Sequence, residues 1–391
     1  MKRLLAFFLA LLVFLLVAGY WLYQRPLPVV QAEVVIPQSS VNRDVALPWP
    51  AYGQAAFGAV DYGVLEKKNT SKPVPIASIS KVIAALAILK QKPLESSQQG
   101  PSITITEADV QLYRDYLAKD GSVVPVNIGQ QISQYQALQA MLLPSANNMA
   151  DTTTRWAFGS TSDYTNYANQ LVKMLGMNQT TVADASGFSP KTISTADDLI
   201  KLGEAVLKNP VLAEIISQST ANFPGVGVIN NVNWLLGTDG ILGIKTGNTD
   251  EAGGCYLFGA KRTIGGRQVT VVGAILGAPT RNIAMSDSRV LIEAADKGFE
   301  VITAVKQGQV VGRYTLPWGG SVEAVSSDEL KILNWNGNPL VVDGNLSDLA
   351  APKEQGYQIG SVKSTTGDIK SVNVALKQPV SSPPWTWRIF H

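Results

Sequence analysis

Behind Lys2 and Arg3 the chain runs for twenty residues, Leu4 to Tyr23, without a charge, and most of these residues are apolar. A stretch of that kind gains nothing from facing water, and as a helix it spans about 30 Å, the hydrocarbon thickness of a bilayer. Lys2, Arg3 and the terminal amine hold the start of the chain on the cytoplasmic side, and Tyr20, Trp21 and Tyr23 mark the far interface. Everything after Arg25 then faces outward, as a single-pass, extracytoplasmic protein held in the bilayer through residues 4–23. A removable signal segment is the alternative, with Val30-Gln31-Ala32 as a cleavage site. Cleaved segments carry shorter apolar cores of about 7–15 residues, and this site lies well beyond the apolar run, so retention is the preferred reading. A buried core helix is a poor fit to such a run at the extreme terminus.

The remainder is large enough for two or three domains at about 150 residues each. Of the 391 residues 46% are hydrophobic and 16% charged, which supports a substantial core. The net charge of +2 carries no electrostatic footprint for nucleic acid. The single histidine, His391, is the last residue, so a Ser-His-Asp triad, a Cys-His dyad and a histidine-based zinc site are excluded on inventory. Cys255 is alone and forms neither an internal disulfide nor a metal cluster. No metal or cofactor is expected. A hydrolase built on this chain has to activate its nucleophile without histidine.

Residues 24–46 are rich in proline (Pro26, Pro28, Pro37) and read as an extended stalk. A catalytic-sized region follows over 47–302. Ala51 to Lys67 alternates loosely around Asp61-Tyr62-Gly63 and reads as a hairpin. Helical patterns then cover Ile79–Lys90, Glu107–Ala118, Tyr135–Leu143 and Asp163–Leu175, and Thr195-Ala196-Asp197-Asp198 opens another helix with a cap and an acidic first turn. Strands return at Gly254–Lys261 and Gln268–Leu276, joined across Gly265-Gly266, before a helix over about Ser286–Val301. The expected class is α+β, a helical block enclosed by strands that pair in one antiparallel sheet. Residues 303–391 form a small all-β domain, with Val310–Leu316, Val322–Val325, Leu330–Leu333 and Ile369–Leu376 as strands, ending in an aromatic tail.

Three short motifs carry chemistry. Ser78-Ile79-Ser80-Lys81 is the only Ser-x-x-Lys in the chain, and it leads an apolar helical run. Residues three apart share a helix face, so a hydroxyl and an amine lie one turn apart as a nucleophile–base pair. To serve as base, Lys81 must be neutral near pH 7, which burial and a second nearby cation can bring about. Ser145-Ala146-Asn147 follows Pro144, and Lys245-Thr246-Gly247 sits at a strand edge, offering a cation, a hydroxyl and room for a substrate backbone. Taken singly, each has an ordinary structural meaning: a helix start, a helix N-cap, a strand-end turn.

In this order and together, they are the signature of penicillin-recognising serine enzymes. From about Leu47 to Phe299 the chain resembles the D-alanyl-D-alanine carboxypeptidases, the low-molecular-mass penicillin-binding proteins of bacterial cell walls. Ala77–Lys81, Ser145–Ala150, Asp184-Ala185-Ser186-Gly187-Phe188 and Gly243–Gly247 carry the resemblance. It implies a β-lactamase/transpeptidase-like catalytic domain, and the β-rich module looks, more loosely, like the C-terminal domain of these enzymes. It further implies that Ser78 attacks the penultimate D-Ala carbonyl and that Lys81 takes its proton and later activates the deacylating water. By the same resemblance Ser145 relays a proton to the leaving amine, and Asn147 holds the acyl-side amide and orients Lys81. Lys245 keeps the potential positive, Thr246 beside Gly247 binds the terminal carboxylate, and the backbone N–H groups of Ser78 and Asn248 form an oxyanion hole. The implied partners are peptidoglycan stem peptides ending in D-Ala-D-Ala, with β-lactams as covalent inhibitors, at the bacterial cell membrane.

The chain departs from the family pattern at three points. Arg281 is near the place where some relatives carry a carboxylate-binding arginine but is not securely aligned. Cys255 follows the third motif and reads as a buried strand residue. The tail, Pro383 to His391, is too short and too proline-rich for the C-terminal amphipathic membrane helix of many relatives. Rival readings are a β-lactamase on the same fold, a D,D-endopeptidase and a catalytically silent wall-binding protein. The loop Met174–Lys191 holds no Glu for fast deacylation, and the six intact polar residues speak against a silent protein.

Overall fold

The computed structural model describes residues 2–36 and 45–391, Lys2 without its side chain. Contacts divide the chain into two units, Asp44–Glu300 and a second made of Met1–Arg43 with Val301–His391.

The first unit is organised around a five-stranded antiparallel sheet in the order Ile241–Thr249, Gly253–Ile264, Arg267–Ala278, Gln54–Ala59, Gly63–Lys68. Strands from opposite ends of the region therefore pair, Ala56 with Ala274 and Phe57 with Gly273. Gly265 and Gly266, both at positive φ, close the central hairpin as a two-residue turn between Ile264 and Arg267. The helical block follows the sequence pattern closely, with helices Ser80–Gln91, Glu107–Leu117, Gln134–Leu142, Asn147–Phe158, Thr161–Met174 and Ala196–Leu207. Ser80–Gln91 is the core helix. Every residue from Ser80 to Leu89 is buried, so it is surrounded by other elements and not amphipathic. Short side-chain caps fix several boundaries: Thr195 accepts from the Asp198 N–H and Asn209 from the Leu212 N–H, the latter opening a helix Pro210–Ile216 that the sequence pattern had not suggested. The helix expected over Ser286–Val301 instead spans Arg281–Asp296, because Thr280 caps it by accepting from the Ile283 N–H. The chain then extends as a strand, Phe299–Val305.

The second unit contains a six-stranded antiparallel sheet in the order Glu33–Val34, Val310–Thr315, Ser321–Ser326, Ser371–Leu376, Gln358–Ser364, Val342–Leu346. Its core includes Val311, Tyr314, Ile332, Val362 and Val374. The expected stalk over 24–46 is not a free tether. Val30 exchanges both backbone bonds with Leu349 (2.9 and 2.8 Å), Glu33 and Val34 pair with Arg313 and Gly312, and residues 37–44 lie outside the described residues. At the N-terminus the helix Lys2–Tyr23 is exposed along nearly its whole length and is long and apolar enough to cross a membrane. The tail forms a six-residue helix, Trp385–Phe390. Arg388 donates to the carbonyl of Tyr23 and stacks over its ring at 4.7 Å, while Trp387 packs edge-on against Trp318.

Candidate active site

Ser78 sits in a single 3-10 turn, Ala77–Ile79, that runs directly into the helix carrying Lys81. Ala77 is held at φ +47, a left-handed conformation that a non-glycine residue adopts only when its surroundings impose it. The constraint comes from two sides. Gly247 of the edge strand passes so close that an added Cβ would lie 3.0 Å from the Ser78 amide nitrogen and from the Ala77 Cβ. Gly187 approaches still nearer, where a Cβ would fall 1.8 Å from the Ala77 carbonyl oxygen. Gly187 is therefore needed for the backbones to meet, and a side chain at 247 would push the Ser78 turn by a few tenths of an ångström. The nucleophile turn is held between the edge strand and the loop Asp184–Phe188.

Lys81 is completely buried. Its Nζ lies 2.8 Å from Ser78 Oγ, 2.6 Å from Asn147 Oδ1 and 2.7 Å from the Ser186 carbonyl oxygen. As an ammonium it donates to all three. A neutral amine has two hydrogens and one lone pair, and two of the partners can only accept. The lone pair must then face Ser78, the one partner able to donate a proton. The arrangement thus selects the serine for deprotonation.

Burial lowers the Lys81 pKa to about 7, while Asp184 and Asp151 pull it upward. The cause differs in part from the sequence expectation: desolvation does the work, and the repulsion between the two lysines shows at the other one. Lys245, also buried, is held well below the ordinary lysine range by desolvation first, then by Lys81 and Arg281. Its Nζ donates to the Thr246 carbonyl at 3.0 Å.

The three motifs converge from three elements. Asn147 opens its helix and is buried, its backbone N–H donating to the Ser122 carbonyl at 2.7 Å. Ser145, also buried, is not the helix cap that its sequence context suggests; Ala146 takes that position and Ser145 lies at φ +68. Lys245, Thr246 and Gly247 are consecutive buried residues of the edge strand, and Asn248 follows as an exposed one. Ser78, Asn147, Gly187, Phe188 and Asn248 line a cleft of about 510 Å3. Arg281, half-buried at the start of its helix, lines a hollow of about 350 Å3 together with Asn248, and its charge is felt at Lys245. Cys255 is buried in the neighbouring strand, its thiol pushed up to about 12 by desolvation, and is inert at neutral pH.

Behind Lys81 lies a polar layer that the Asp184–Phe188 segment pointed to only in part, through Asp184 and Ser186. Ser186, Tyr116 and Asp151 join Asp184 there: the Tyr116 hydroxyl donates to Asp151 Oδ2 at 2.7 Å and lies 3.2 Å from Ser186 Oγ. Asp184, read from sequence as a loop hydrogen-bonding residue, accepts from Ser186 Oγ (2.8 Å), the Phe188 N–H (2.9 Å), the Ser189 N–H (3.3 Å) and the Thr192 hydroxyl. With its oxygens so engaged it is no free base for water.

A family model described as Peptidase S11, D-alanyl-D-alanine carboxypeptidase, matches residues 59–280. The chain is 21% identical over 315 residues to a D-alanyl-D-alanine carboxypeptidase of Bacillus subtilis, covering 76% of this chain and 77% of that one. It is 30% identical over 203 residues to a D-alanyl-D-alanine endopeptidase of Pseudomonas aeruginosa, covering 50% and 62%. Among solved structures, penicillin binding protein 5 of Haemophilus influenzae superposes with a TM-score of 0.61 at 19% identity, over 89% of this chain and 100% of that one. A peptidoglycan synthesis regulatory factor of Streptococcus pneumoniae gives 0.64 at 20% identity, over 84% and 98%.

Proposed function

The chain belongs to the family of D-alanyl-D-alanine carboxypeptidases, penicillin-binding serine peptidases, and on that premise we propose that Ser78 is the residue acylated by a stem peptide ending in D-Ala-D-Ala. The observation that carries this assignment is the triple contact of buried Lys81 with Ser78, Asn147 and the Ser186 carbonyl.

In the proposed cycle Ser78 Oγ attacks the penultimate D-Ala carbonyl carbon as its proton passes to Lys81 Nζ. The tetrahedral oxygen is received by the backbone N–H groups of Ser78 and Asn248, a placement supported by the close passage of Gly247 against the Ser78 nitrogen. Each such donor contributes about 3 kcal/mol. The C–N bond then breaks, and the terminal D-Ala leaves with a proton relayed through Ser145. Water attacks the ester carbonyl with Lys81 as base and frees Ser78. Asn147 holds the acyl-side amide. Thr246, with Gly247 and Arg281, takes the substrate carboxylate. The incoming negative charge favours the ammonium form of Lys245, offsetting the desolvation that depresses it in the free enzyme.

Residues 4–23 are proposed to remain as a single-pass anchor in the bacterial cell membrane, with the catalytic unit on the outer side. Two contacts support retention: Arg388 is bound to Tyr23 at the outer end of the helix, and Val30 forms an antiparallel bridge with Leu349 of the C-terminal region. Removal after Ala32 would discard both.

Endopeptidase action on cross-links is the second reading, favoured by relatives of that name at 30% and 31% identity. Mass analysis of products separates the two. Release of D-Ala from a D-Ala-D-Ala-ended pentapeptide supports the carboxypeptidase, whereas cleavage restricted to cross-linked dimers rejects it.

A further inference from the structure

Lys81 has two half-buried carboxylates behind it, and only Asp184 belongs to a segment that carries the family resemblance. Asp151 lies one turn along the helix from Asn147, and it is reached from Lys81 through a chain of hydroxyls. Lys81 donates to the Ser186 carbonyl (2.7 Å), Ser186 Oγ lies 3.2 Å from the Tyr116 hydroxyl, and that hydroxyl is 2.7 Å from Asp151 Oδ2. Ser186 Oγ also donates to Asp184 Oδ2 at 2.8 Å.

Hydrogen counting shows what this chain responds to. If Asp151 is ionised, Tyr116 gives its hydrogen to Asp151 and Ser186 gives its only one to Asp184, so the Tyr116–Ser186 contact has no hydrogen. If Asp151 carries a proton, it donates to Tyr116, Tyr116 to Ser186 and Ser186 to Asp184, and every contact is filled in one direction. The network therefore registers a single proton on Asp151. Its far end is the loop whose carbonyl holds the catalytic base. Tyr116 also touches both cleft walls: its ring meets Phe188 edge-on at 5.5 Å, and its carbonyl accepts from Lys119 (3.1 Å) and Gly121 (2.8 Å).

We propose that Asp151 and Tyr116 are positioning residues for the reaction: the charge on Asp151 sets how readily Lys81 parts with its proton, and Tyr116 holds that charge in register with the Ser186 carbonyl. The proposal rests on Lys81 being the base. The titratable and charged groups around the pair are Lys81, Asp184, Arg155 and Tyr164 near Asp151, with Lys245 beyond Lys81. Desolvation pushes the Asp151 carboxyl up to about 6, and the Tyr116 hydroxyl opposes that rise. Asp151 consequently changes charge close to the range in which Lys81 does. The sign follows directly. Ionised Asp151 favours the Lys81 ammonium, so removing the charge lowers the pH at which Lys81 becomes a base.

The test is the acylation rate of the full-length protein by a fluorescent penicillin from pH 5.5 to 9. In Asp151→Asn the rising limb moves to lower pH by somewhat less than about one unit, giving about twofold more of the plateau rate near about pH 6.5, where wild-type Asp151 is ionised and Lys81 still protonated. The gain is less below that pH, where wild-type Asp151 is already neutral. Tyr116→Phe, which leaves Asp151 neutral to higher pH, moves it the same way by less, and Asp151→Glu leaves the limb in place. Tyr116→Phe alone decides the matter if Asp151→Asn does not fold. Rates that fall equally at every pH with an unmoved limb overturn the proposal and leave a purely structural role. Wild-type protein that is not acylated at Ser78 overturns the peptidase reading together with this one.

Discussion

Replacing Gly187 by alanine isolates the packing that positions the nucleophile. Gly187 has φ +72, and an alanine there carries the left-handed penalty of about 1–2 kcal/mol. The added methyl would also stand 1.8 Å from the Ala77 carbonyl oxygen, where ordinary contact begins at 3.4 Å. The loop and the Ser78 turn must therefore separate by about 1.5 Å, and neither surface is a flexible side chain. Overpacking of this kind adds about 1–3 kcal/mol, for a total of about 2–5 kcal/mol. A shift of about 1 Å in a reacting group costs roughly a hundredfold in rate, so acylation should fall by at least that factor. Gly63→Ala is the matched control: φ is +68 and nothing lies within 4 Å of the new Cβ, so it carries the backbone penalty alone. Thermal or denaturant unfolding of both variants, with penicillin acylation rates, gives the two numbers. If Gly187→Ala is no less stable than Gly63→Ala and acylates at the wild-type rate, the clamp on the Ser78 turn does not exist.

The parts of the fold legible in sequence were those with local signals. The core helix announces itself by unbroken apolar character from Val82 to Leu89, and the central hairpin by Gly265-Gly266 between β-branched runs. The strands Val342–Leu346 and Gln358–Ser364 were not legible, because Gly344, Asn345 and Gly360 read as turn residues. Gly360 is there for a different reason: a Cβ would lie 2.1 Å from the Asn345 carbonyl oxygen across the ladder. The stalk failed as an expectation because a proline-rich segment can still lend a few edge hydrogen bonds, as Val30, Glu33 and Val34 do. At the site, the motifs led to Ser78, Lys81, Asn147 and Lys245. Tyr116 and Asp151 escaped because they act through space on Lys81 from separate helices and sit in no motif.

Three further outcomes follow from the geometry. Lys81→Arg should lose nearly all acylation, since a guanidinium keeps its proton near neutral pH, whereas Lys245→Arg should keep part of it; rate measurements against pH on both variants decide, and an active Lys81→Arg refutes the base assignment. Lys81 has a folded pKa lowered to about 7, so the unfolded chain binds more protons between about pH 7 and 10.5 and wild-type stability rises with pH there. Relative to Lys81→Met, the wild type should gain on the order of 2 kcal/mol between pH 7 and 9 in denaturant unfolding; a pH-independent difference would show that Lys81 is not held neutral by burial. The protein should stay with membranes through a high-salt wash, because the contact of residues 4–23 with lipid is hydrophobic and unscreened, while a mature N-terminus at Glu33 would mean that the helix is removed.

The most direct measurement is peptide mapping of the penicillin adduct on wild-type and Ser78→Ala protein, with D-Ala release from a pentapeptide followed in parallel. A single adduct on Ser78, lost with D-Ala release in a Ser78→Ala protein that still unfolds cooperatively, is the predicted result. An adduct on any other residue, or D-Ala release that survives Ser78→Ala, contradicts the assignment of Ser78 as nucleophile.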